Sequence, residues 1–355
     1  MRDVKEYISN IEGNLAVVDG SLIAFVASSA GEKRDIEVTH RDTGKKRVFD
    51  NITAFKKHLK GKNEKRGAKG KKPMEITDFD IENRQHPQDI AVTLHILKEM
   101  IKSIQGLCDA DDCLIVLDDP APTFRHDLAT VQKYKGKRDG KAKPINLQAV
   151  KDHMIMYYNT EVAPKGIEAD DVLNFYAYEG NKLTKSGDPR KIIAVTFDKD
   201  QNGNPGWIFD FRKDGNGNPI MRAPEYISGL GGLKVVGKGI KGRGKKFFYF
   251  QWVGQDTADN YKASKLSKKR FGDKSTFKLL DGCKTSRECF QTVIAQFKEW
   301  YPEPVKYVSW DGKDIERNWL EIAQEYFDLA RMRRWEGDHI QVKDLLSKMG
   351  IEEEV

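Results

Sequence analysis

Three short apolar runs and several segments with helical spacing organise this chain. Residues 14–18, 113–117 and 191–197 are rich in Val, Ile, Leu and Ala, and their length and β-branched content predict buried strands. Apolar side chains recur at helical spacing after the first run and at 87–105, 147–158, 168–179, 286–299 and 315–334. Strands alternating with helices predict an α/β fold, a twisted parallel sheet flanked by helices.

Each predicted strand ends in carboxylates. Asp19 closes the first strand, Asp118 and Asp119 follow the second, and Asp198 and Asp200 follow the third. Parallel α/β sheets bind their ligands at the carboxyl ends of the strands. We therefore expect these acids to meet in one crevice.

Further acids stand at the start of the helix at 168–179. The free N–H groups and the dipole of a helix N-terminus favour negative charge, so capping accounts for an acid there. Glu168 and Asp171 lie one turn apart and, with Asp170 between them, would repel without a nearby cation. Asp256 and Asp259 are a second such pair, which taken alone is more typical of a turn or helix cap than of a pair of ligands. When the acids at the strand ends are also considered, metal binding becomes the favoured role for the acids at 168–171 and at 256 and 259. Capping of a helix or turn by the same acids is not excluded.

The ligand chemistry favours Mg²⁺ or Mn²⁺. So many carboxylates cannot stay ionised in one crevice without compensating cations. Oxygen ligands suit these ions, whereas Zn²⁺ would require His or Cys, and the four cysteines lack zinc-binding spacing. Two such ions about 4 Å apart can promote in-line phosphodiester displacement. The glycine-rich stretch at 237–246 lacks the P-loop pattern of a nucleotide site.

The charge composition is compatible with two distributions: an acidic pocket in a basic surface, which would suit a polyanionic partner, or an ordinary solvated surface with a slight basic excess. The net charge is +7 although the chain carries 54 acids. Basic residues concentrate at 56–72, 124–143 and 261–270. The run at 56–72 predicts either a solvated mobile segment or an arm that contacts phosphates. No window resembles a membrane span and the first residues do not resemble a signal peptide, so we expect a cytoplasmic protein, in the host cytoplasm if viral, without a membrane partner.

Seven motifs follow one another along the chain: VVDG at 17–20, IVLDD at 115–119, FR at 124–125, YKGKRD at 134–139, GIEADD at 166–171, DKD at 198–200 and GQDTADN at 254–260. In this order they resemble the bacteriophage 5′–3′ exonuclease and flap endonuclease family, over about residues 14–270. The Gly-x-Gly hairpin that the family usually carries after the last motif is absent from 261–272.

The resemblance implies a PIN-like 5′ nuclease core. Residues 1–200 would form this core, with a basic insertion at about 31–80 and a helical gateway at about 120–150. Residues 201–253 would be a turn-rich basic excursion, and 254–355 a helical DNA-binding and C-terminal region packed on the core.

The resemblance also implies a set of site residues. Two divalent ions would be held by Asp19, Asp119, Glu168, Asp170, Asp171, Asp198, Asp200, Asp256 and Asp259. We expect the first ion to be bound mainly by Asp19, Asp119, Glu168 and Asp170, and the second by Asp256 and Asp259. The catalytic residues would be Asp171, Asp200, Lys135 and Arg138. DNA would be contacted by Arg125, Tyr134, Lys135, Lys137, Arg138, Lys262, Lys265, Lys268 and Lys269, with Tyr134 stacking on a base.

The implied function is a metal-dependent 5′ nuclease of phage replication or recombination. Its substrates would be DNA with single-stranded 5′ ends or flaps, or RNA–DNA hybrids in primer removal. A non-catalytic nucleic-acid-binding protein on the same fold is one alternative, although such a protein would be expected to lose ligand acids. An RNA-cleaving nuclease is the other, and only substrate competition separates it from the first.

Overall fold

The computed structural model describes residues 1–351, which form fifteen strands and twelve helices. The strands are β1 (Leu15–Asp19), β2 (Glu32–His40), β3 (Lys46–Phe49), β4 (Phe79–Pro87), β5 (Asp112–Leu117), β6 (Thr160–Val162), β7 (Ile192–Val195), β8 (Gly206–Phe209), β9 (Glu225–Ile227), β10 (Gly232–Val236), β11 (Gly239–Arg243), β12 (Gln255–Asp256), β13 (Tyr261–Lys262), β14 (Val305–Val308) and β15 (Asp314–Arg317). The helices are α1 (Val4–Ser9), α2 (Gly20–Ala30), α3 (Ile52–Gly67), α4 (Ile90–Cys108), α5 (Phe124–Leu128), α6 (Leu147–Tyr157), α7 (Ala169–Ser186), α8 (Lys245–Val253), α9 (Asp273–Asp281), α10 (Ser286–Trp300), α11 (Trp319–Ala330) and α12 (Val342–Lys348).

The largest sheet has six strands in the order β6-β5-β1-β7-β8-β9. β1 lies between β5 and β7 and runs parallel to both. β6 and β8 extend the sheet in parallel, and β9 pairs antiparallel with β8 at one edge. Every residue of β1 and β7 is buried, which explains why these strands appear as continuous apolar runs. The predicted α/β fold with a parallel sheet and flanking helices is confirmed.

Helix α7 packs tightly on this sheet. Its apolar side chains, including Val172 and Phe175, share a core with β1 and β5. Gly180 allows the close approach, because a Cβ atom there would lie 2.4 Å from the Cβ of Ile192 on β7. Gly187 ends the helix in the left-handed region, at a φ of 87°. The packing fixes the position of the acids at the start of α7.

An aromatic core joins the C-terminal helices. Trp252 of α8 is fully buried and contacts the rings of Phe290 and Phe297 on α10 and Phe327 on α11. Its indole N–H donates to the Ala323 carbonyl at 2.8 Å. Helix α8 was not predicted, because its apolar residues are almost continuous and show no helical period.

Residues Ile23–Met100 and Ala142–His153 form a second compact unit, distinct from the one that contains the six-stranded sheet. Its sheet has the antiparallel order β3-β2-β4. A turn at 42–45 closes the hairpin of β2 and β3, with Gly44 at a φ of 65°. The predicted basic insertion at about 31–80 lies within this unit.

The basic run at 56–72 is ordered over much of its length in helix α3. Phe55 and Leu59, one turn apart, are buried against Ile36 and Val38 of β2. Asn51 caps the helix by accepting a hydrogen bond from the Ala54 N–H at 2.9 Å. Two anchoring side chains and a cap are enough to order a segment that is otherwise basic.

The helix predicted at 315–334 begins later, at Trp319. Asn318 accepts hydrogen bonds from the N–H groups of Leu320 and Glu321, both at 3.0 Å, and so caps α11. The residues before this cap belong to strand β15. Among the described residues, no helix has the length and apolar content needed to cross a membrane, and the four cysteines are buried and free.

Candidate metal centre

The carboxyl ends of three neighbouring strands bring acids together. Asp19 is the last residue of β1, Asp118 follows β5 directly, and Asp198 stands three residues beyond the end of β7. Because β5, β1 and β7 are adjacent and parallel, these ends share one edge of the sheet. These three acids therefore leave the sheet on the same side.

Asp19, Asp118, Asp170 and Asp198 form a first acidic group. Asp19 is buried and accepts hydrogen bonds from the Leu22 N–H at 2.9 Å and the Thr196 hydroxyl at 3.2 Å. Burial raises its pKa to about 7, and the charges of Asp118 and Asp198 add to the rise.

The pKa of Asp170 is raised for the same reasons as that of Asp19. Burial raises its pKa well above the ordinary value, and Asp19, Asp198 and Asp118 raise it further. Its Oδ1 atom is buried and has no hydrogen-bond partner within the described residues. Such an atom is costly to bury unless it binds a cation or a proton.

The strand-end acid that faces this group is Asp118, whereas we had expected Asp119. Asp118 raises the pKa of both Asp19 and Asp170, and its carboxylate accepts the Ala169 N–H at 2.9 Å. Asp119 instead accepts the Ala121 N–H at 2.8 Å in a local turn. Consecutive residues leaving a strand point in different directions, so the sequence alone did not distinguish the two.

Asp200, Asp256 and Asp259 form a second acidic group. One carboxylate oxygen from each lies within 4.8 Å of the others. Burial raises the pKa of Asp200 well above its ordinary value, with further contributions from Asp198 and Asp259. Burial also raises the pKa of Asp259, to about 6, although Lys135 partly offsets the rise.

Asp256 differs from its two neighbours because Lys199 contacts it. Burial alone would raise the pKa of Asp256, but the ion pair with the Lys199 ammonium outweighs burial and lowers it. The carboxylate also accepts the N–H groups of Ala258 and Asp259, at 2.7 and 3.0 Å. Lys199 was not singled out from the sequence, although it stands inside the DKD motif. Gln251 of α8, which donates its side-chain amide to Asp200, gave no sequence signal.

Asp171 lies outside both groups, which corrects its assignment as a metal ligand and catalytic residue. Its side chain has no exposed surface, and both oxygens accept hydrogen bonds from Arg125, at 2.7 and 2.9 Å. The Arg333 backbone N–H adds a third hydrogen bond at 2.9 Å. Asp170 and Asp171 diverge because successive helical residues point about 100° apart.

Arg125 is a buried structural cation, so its assignment to DNA binding is also corrected. Its side chain is 1% exposed and contacts Glu168 at 3.0 Å as well as Asp171. It donates to the Arg331 carbonyl at 2.9 Å, and its guanidinium lies over the Phe124 ring. The residue therefore joins the start of α7 to the segment after α11.

Glu168 is neutralised by cations. Burial would raise its pKa, but Arg125 and Lys135 outweigh burial and lower it to about 2. The Lys135 Nζ atom lies 2.6 Å from Oε1, and the Tyr134 hydroxyl donates to Oε2 at 3.2 Å. Its charge also raises the pKa of Asp259, so Glu168 borders the second group, whereas we had expected it at the first ion.

Tyr134 is not available for base stacking. Its side chain is buried, its hydroxyl lies 3.3 Å from the Asp259 carboxylate, and its ring packs edge-on against His126.

The basic residues predicted to contact DNA differ in exposure. Lys135 is half-buried, whereas Arg138 is more exposed and pairs with Asp259 at 3.1 Å. Of the other predicted DNA contacts, Lys137, Lys265, Lys268 and Lys269 are exposed and Lys262 is half-buried. Lys269 pairs with Glu299 at 2.9 Å.

The two acidic groups share a small cavity with basic side chains. Its volume is about 40 Å³, and its walls include Asp170 and Asp198 of the first group and Asp200 and Asp259 of the second. Lys135 and Arg138 also line it. The site has seven acids, four of them with raised pKa values, and one buried carboxylate oxygen without a hydrogen-bond partner. Because the available ligands are all oxygens, the site fits divalent cations.

We compared the chain with known proteins. No family model matches it, and no curated protein matches it. Among solved structures, the D15 protein of bacteriophage T5 co-crystallised with metal ions and the T5 5′-exonuclease with bound zinc each align at 14% identity and a TM-score of 0.43, covering 95% of this chain and 96% of theirs. The T5 D15 flap endonuclease in a complex with DNA and metal ions aligns at 12% identity and a TM-score of 0.39, over 95% and 99% of the two chains.

These matches are to the kind of protein that the seven motifs resemble.

Proposed function

We propose that this chain is a divalent-metal-dependent nuclease that hydrolyses DNA phosphodiester bonds at 5′ ends or flaps. The supporting observation is the cavity shared by two acidic groups and two basic side chains. A phosphodiester is an anion, so a site for it must combine cation-binding acids with positive charge for the phosphate. Lys135 and Arg138 supply that positive charge beside Asp170, Asp198, Asp200 and Asp259.

The acids divide into two sets of ligands. Asp19, Asp118, Asp170 and Asp198 would hold one Mg²⁺ or Mn²⁺, and Asp200, Asp256 and Asp259 would hold the other. When bound, such ions supply a water of lowered pKa and stabilise charge on the leaving oxygen. Raised pKa values in both sets mean that the protein must lose protons as it binds cations.

The basic residues position the substrate phosphate. In the structure, Lys135 forms an ion pair with Glu168, and Arg138 forms an ion pair with Asp259. Both residues lie in or beside a short 3₁₀ turn at Gly136–Arg138, where Lys135 has a φ of 54°. A residue with a side chain seldom adopts this conformation, and strained backbone of this kind is common at functional sites. When a substrate binds, Lys135 and Arg138 would each leave the carboxylate partner and contact a phosphate oxygen instead.

The order of the seven motifs supports 5′ ends as the site of attack. A role in phage replication or recombination, including removal of RNA primers, would follow from that polarity. Flaps, nicked duplexes, blunt duplexes and RNA–DNA hybrids are the substrates to compare.

A cleavage assay tests this proposal. Each substrate carries one label at the 5′ end or one at the 3′ end of the same strand, and is incubated with Mg²⁺ or with EDTA. We expect short 5′-labelled products from the flap in Mg²⁺ and none in EDTA. Release of labelled nucleotides from 3′ ends only, or equal cleavage in Mg²⁺ and in EDTA, would contradict the proposal. Faster cleavage of RNA than of DNA would favour an RNA-cleaving nuclease.

A further inference from the structure

The segment at 56–72 accounts for the net charge of the whole chain. It contains eight lysines and one arginine against one glutamate, a net charge of +8, whereas the complete chain has +7. The remainder is therefore close to neutral, at −1. We call this stretch, which comprises most of α3 and the turn after it, the basic segment.

The structure presents the basic segment on a fixed scaffold. Phe55 and Leu59 bury one side of α3 against the three-stranded sheet, and Lys56, Lys57 and Lys60 are exposed. The side-chain amide of Asn63 exchanges two hydrogen bonds, both at 2.8 Å, with the Met74 backbone.

The turn that follows α3 is held to the helix. The Arg66 guanidinium donates to the Lys72 carbonyl at 2.8 Å. The C-terminal lysines of the segment are thus kept beside the helical ones.

The positive charges of the basic segment are not neutralised by the protein. Within the part of the chain that the structure describes, none of its lysines has an ion-pair partner. The field is strong enough to affect His58, whose pKa is lowered by burial and by the nearby charges of Arg47, Lys62 and Lys65. Crowding like charges costs free energy that a polyanion would recover.

We infer that the basic segment is a second nucleic-acid-binding surface, which contacts the phosphates of DNA through the exposed lysines of α3. The choice of DNA as the polyanion rests on the proposed function. Lysine contacts to phosphates add affinity without sequence preference, and they release counterions, so their contribution falls steeply with salt.

A membrane surface fits the same segment less well. Helices that lie on bilayers insert an apolar face beside their basic residues. Here Phe55 and Leu59 are buried in the protein, and Ile52 is the one large apolar side chain of α3 with substantial exposure, at 39%. The surface therefore offers charge without an insertion face.

Binding to labelled duplex DNA in EDTA tests the inference on the full chain, because no cleavage is needed. One variant carries Lys56→Gln, Lys57→Gln, Lys60→Gln and Lys65→Gln. A matched control carries Lys5→Gln, Lys98→Gln, Lys185→Gln and Lys213→Gln, which are also exposed, lie outside the basic segment and outside the predicted DNA-binding region at 254–355, and lower the net charge by the same amount. Far-UV circular dichroism verifies that both are folded.

We expect the α3 variant to lose about tenfold or more in affinity, and its dependence of log K on log salt to become shallower by about 0.9 for each phosphate contact removed. The control should bind within about twofold of the parent chain. Equal binding by both variants would overturn the inference, as would binding to phosphatidylserine vesicles in place of DNA. A parent chain that binds DNA through α3 but cleaves nothing in Mg²⁺ would refute the proposed function and leave this inference standing.

Discussion

Neighbouring acids in this chain have different partners although their sequence contexts are almost the same. Asp170 faces the first acidic group, whereas Asp171 is enclosed by Arg125 and the Arg333 backbone. Asp118 and Asp119 divide in the same way at the end of β5. A motif such as GIEADD or IVLDD therefore identifies a pair of acids, and only backbone direction selects the one that can bind a metal.

The pair after β5 gives a matched test at the residue scale. Asp118→Asn should lower the rate of Mg²⁺-dependent cleavage about a hundredfold, because it removes one charge from the first group. Asp119→Asn should stay within a few-fold of the parent chain, since its carboxylate serves a local turn. Single-turnover cleavage of a 5′-labelled flap measures both, and the opposite ranking would restore Asp119 as the ligand.

Asp171 should affect stability more than chemistry. Asp171→Asn leaves the buried Arg125 guanidinium with Glu168 as its one remaining carboxylate, and we expect a loss of about 3 kcal/mol in the free energy of unfolding. Urea denaturation without metal measures this loss. A variant as stable as the parent chain but unable to cleave would return Asp171 to the catalytic residues.

At the scale of elements, the strands were predictable because they are buried on both faces. β1, β5 and β7 are continuous apolar runs whose ends the sequence marks with acids, and their adjacency in the sheet brought those acids together as expected. Helix α7 was predictable from its spacing and its acidic start. Arg125 was not, because its partners lie more than forty positions away and no local pattern reveals a long-range ion pair.

The close contact of α7 with β7 leads to an element-scale prediction. In Gly180→Ala, the new methyl group would lie 2.4 Å from Ile192 Cβ, so the helix must shift, at a cost of about 1–3 kcal/mol. In Gly106→Ala on α4, the new Cβ atom would meet no other part of the protein within 4 Å, so this substitution should stabilise the protein by about 0.5–1 kcal/mol. Thermal unfolding compares the two, and similar effects from both would show that α7 does not pack this closely.

At the scale of the whole molecule, charge is segregated. Of the acids of the candidate metal centre, Asp19, Asp256 and Asp259 are buried, whereas the lysines of the basic segment are exposed. The basic segment alone holds a positive excess larger than the net charge of the chain. Composition alone left segregation and an even distribution equally open, since it reports totals and not positions. The positions show that the positive excess is concentrated in the basic segment, as expected of a surface that binds phosphates.

Buried acids make the stability of the metal-free protein depend on pH. Asp19 and Asp259 have pKa values raised from 3.8 to about 7 and about 6, so the folded state retains protons that the unfolded chain has released. This contribution is fully present below pH 3.8 and is lost as the pH rises through 6 and 7. We expect the free energy of unfolding in EDTA to fall by on the order of 2 kcal/mol between about pH 5 and 8.

Denaturant titrations across this pH range measure how the free energy of unfolding changes with pH. Asp19→Asn should flatten it, because the amide does not ionise, and saturating Mg²⁺ should flatten it in the parent chain. A metal-free protein that gains stability towards pH 8 would show that the acidic groups are not crowded as described.

The most direct measurement is single-turnover cleavage of a 5′-labelled flap by the parent chain and by Asp200→Asn, each in Mg²⁺ and in EDTA. Asp200 belongs to the second acidic group and lines the shared cavity, so its replacement should slow cleavage about a thousandfold while DNA binding in EDTA stays unchanged. The parent chain should cleave in Mg²⁺ alone. Full activity of Asp200→Asn, or cleavage by the parent chain in EDTA, would contradict the assignment of this cavity as a metal-dependent nuclease site.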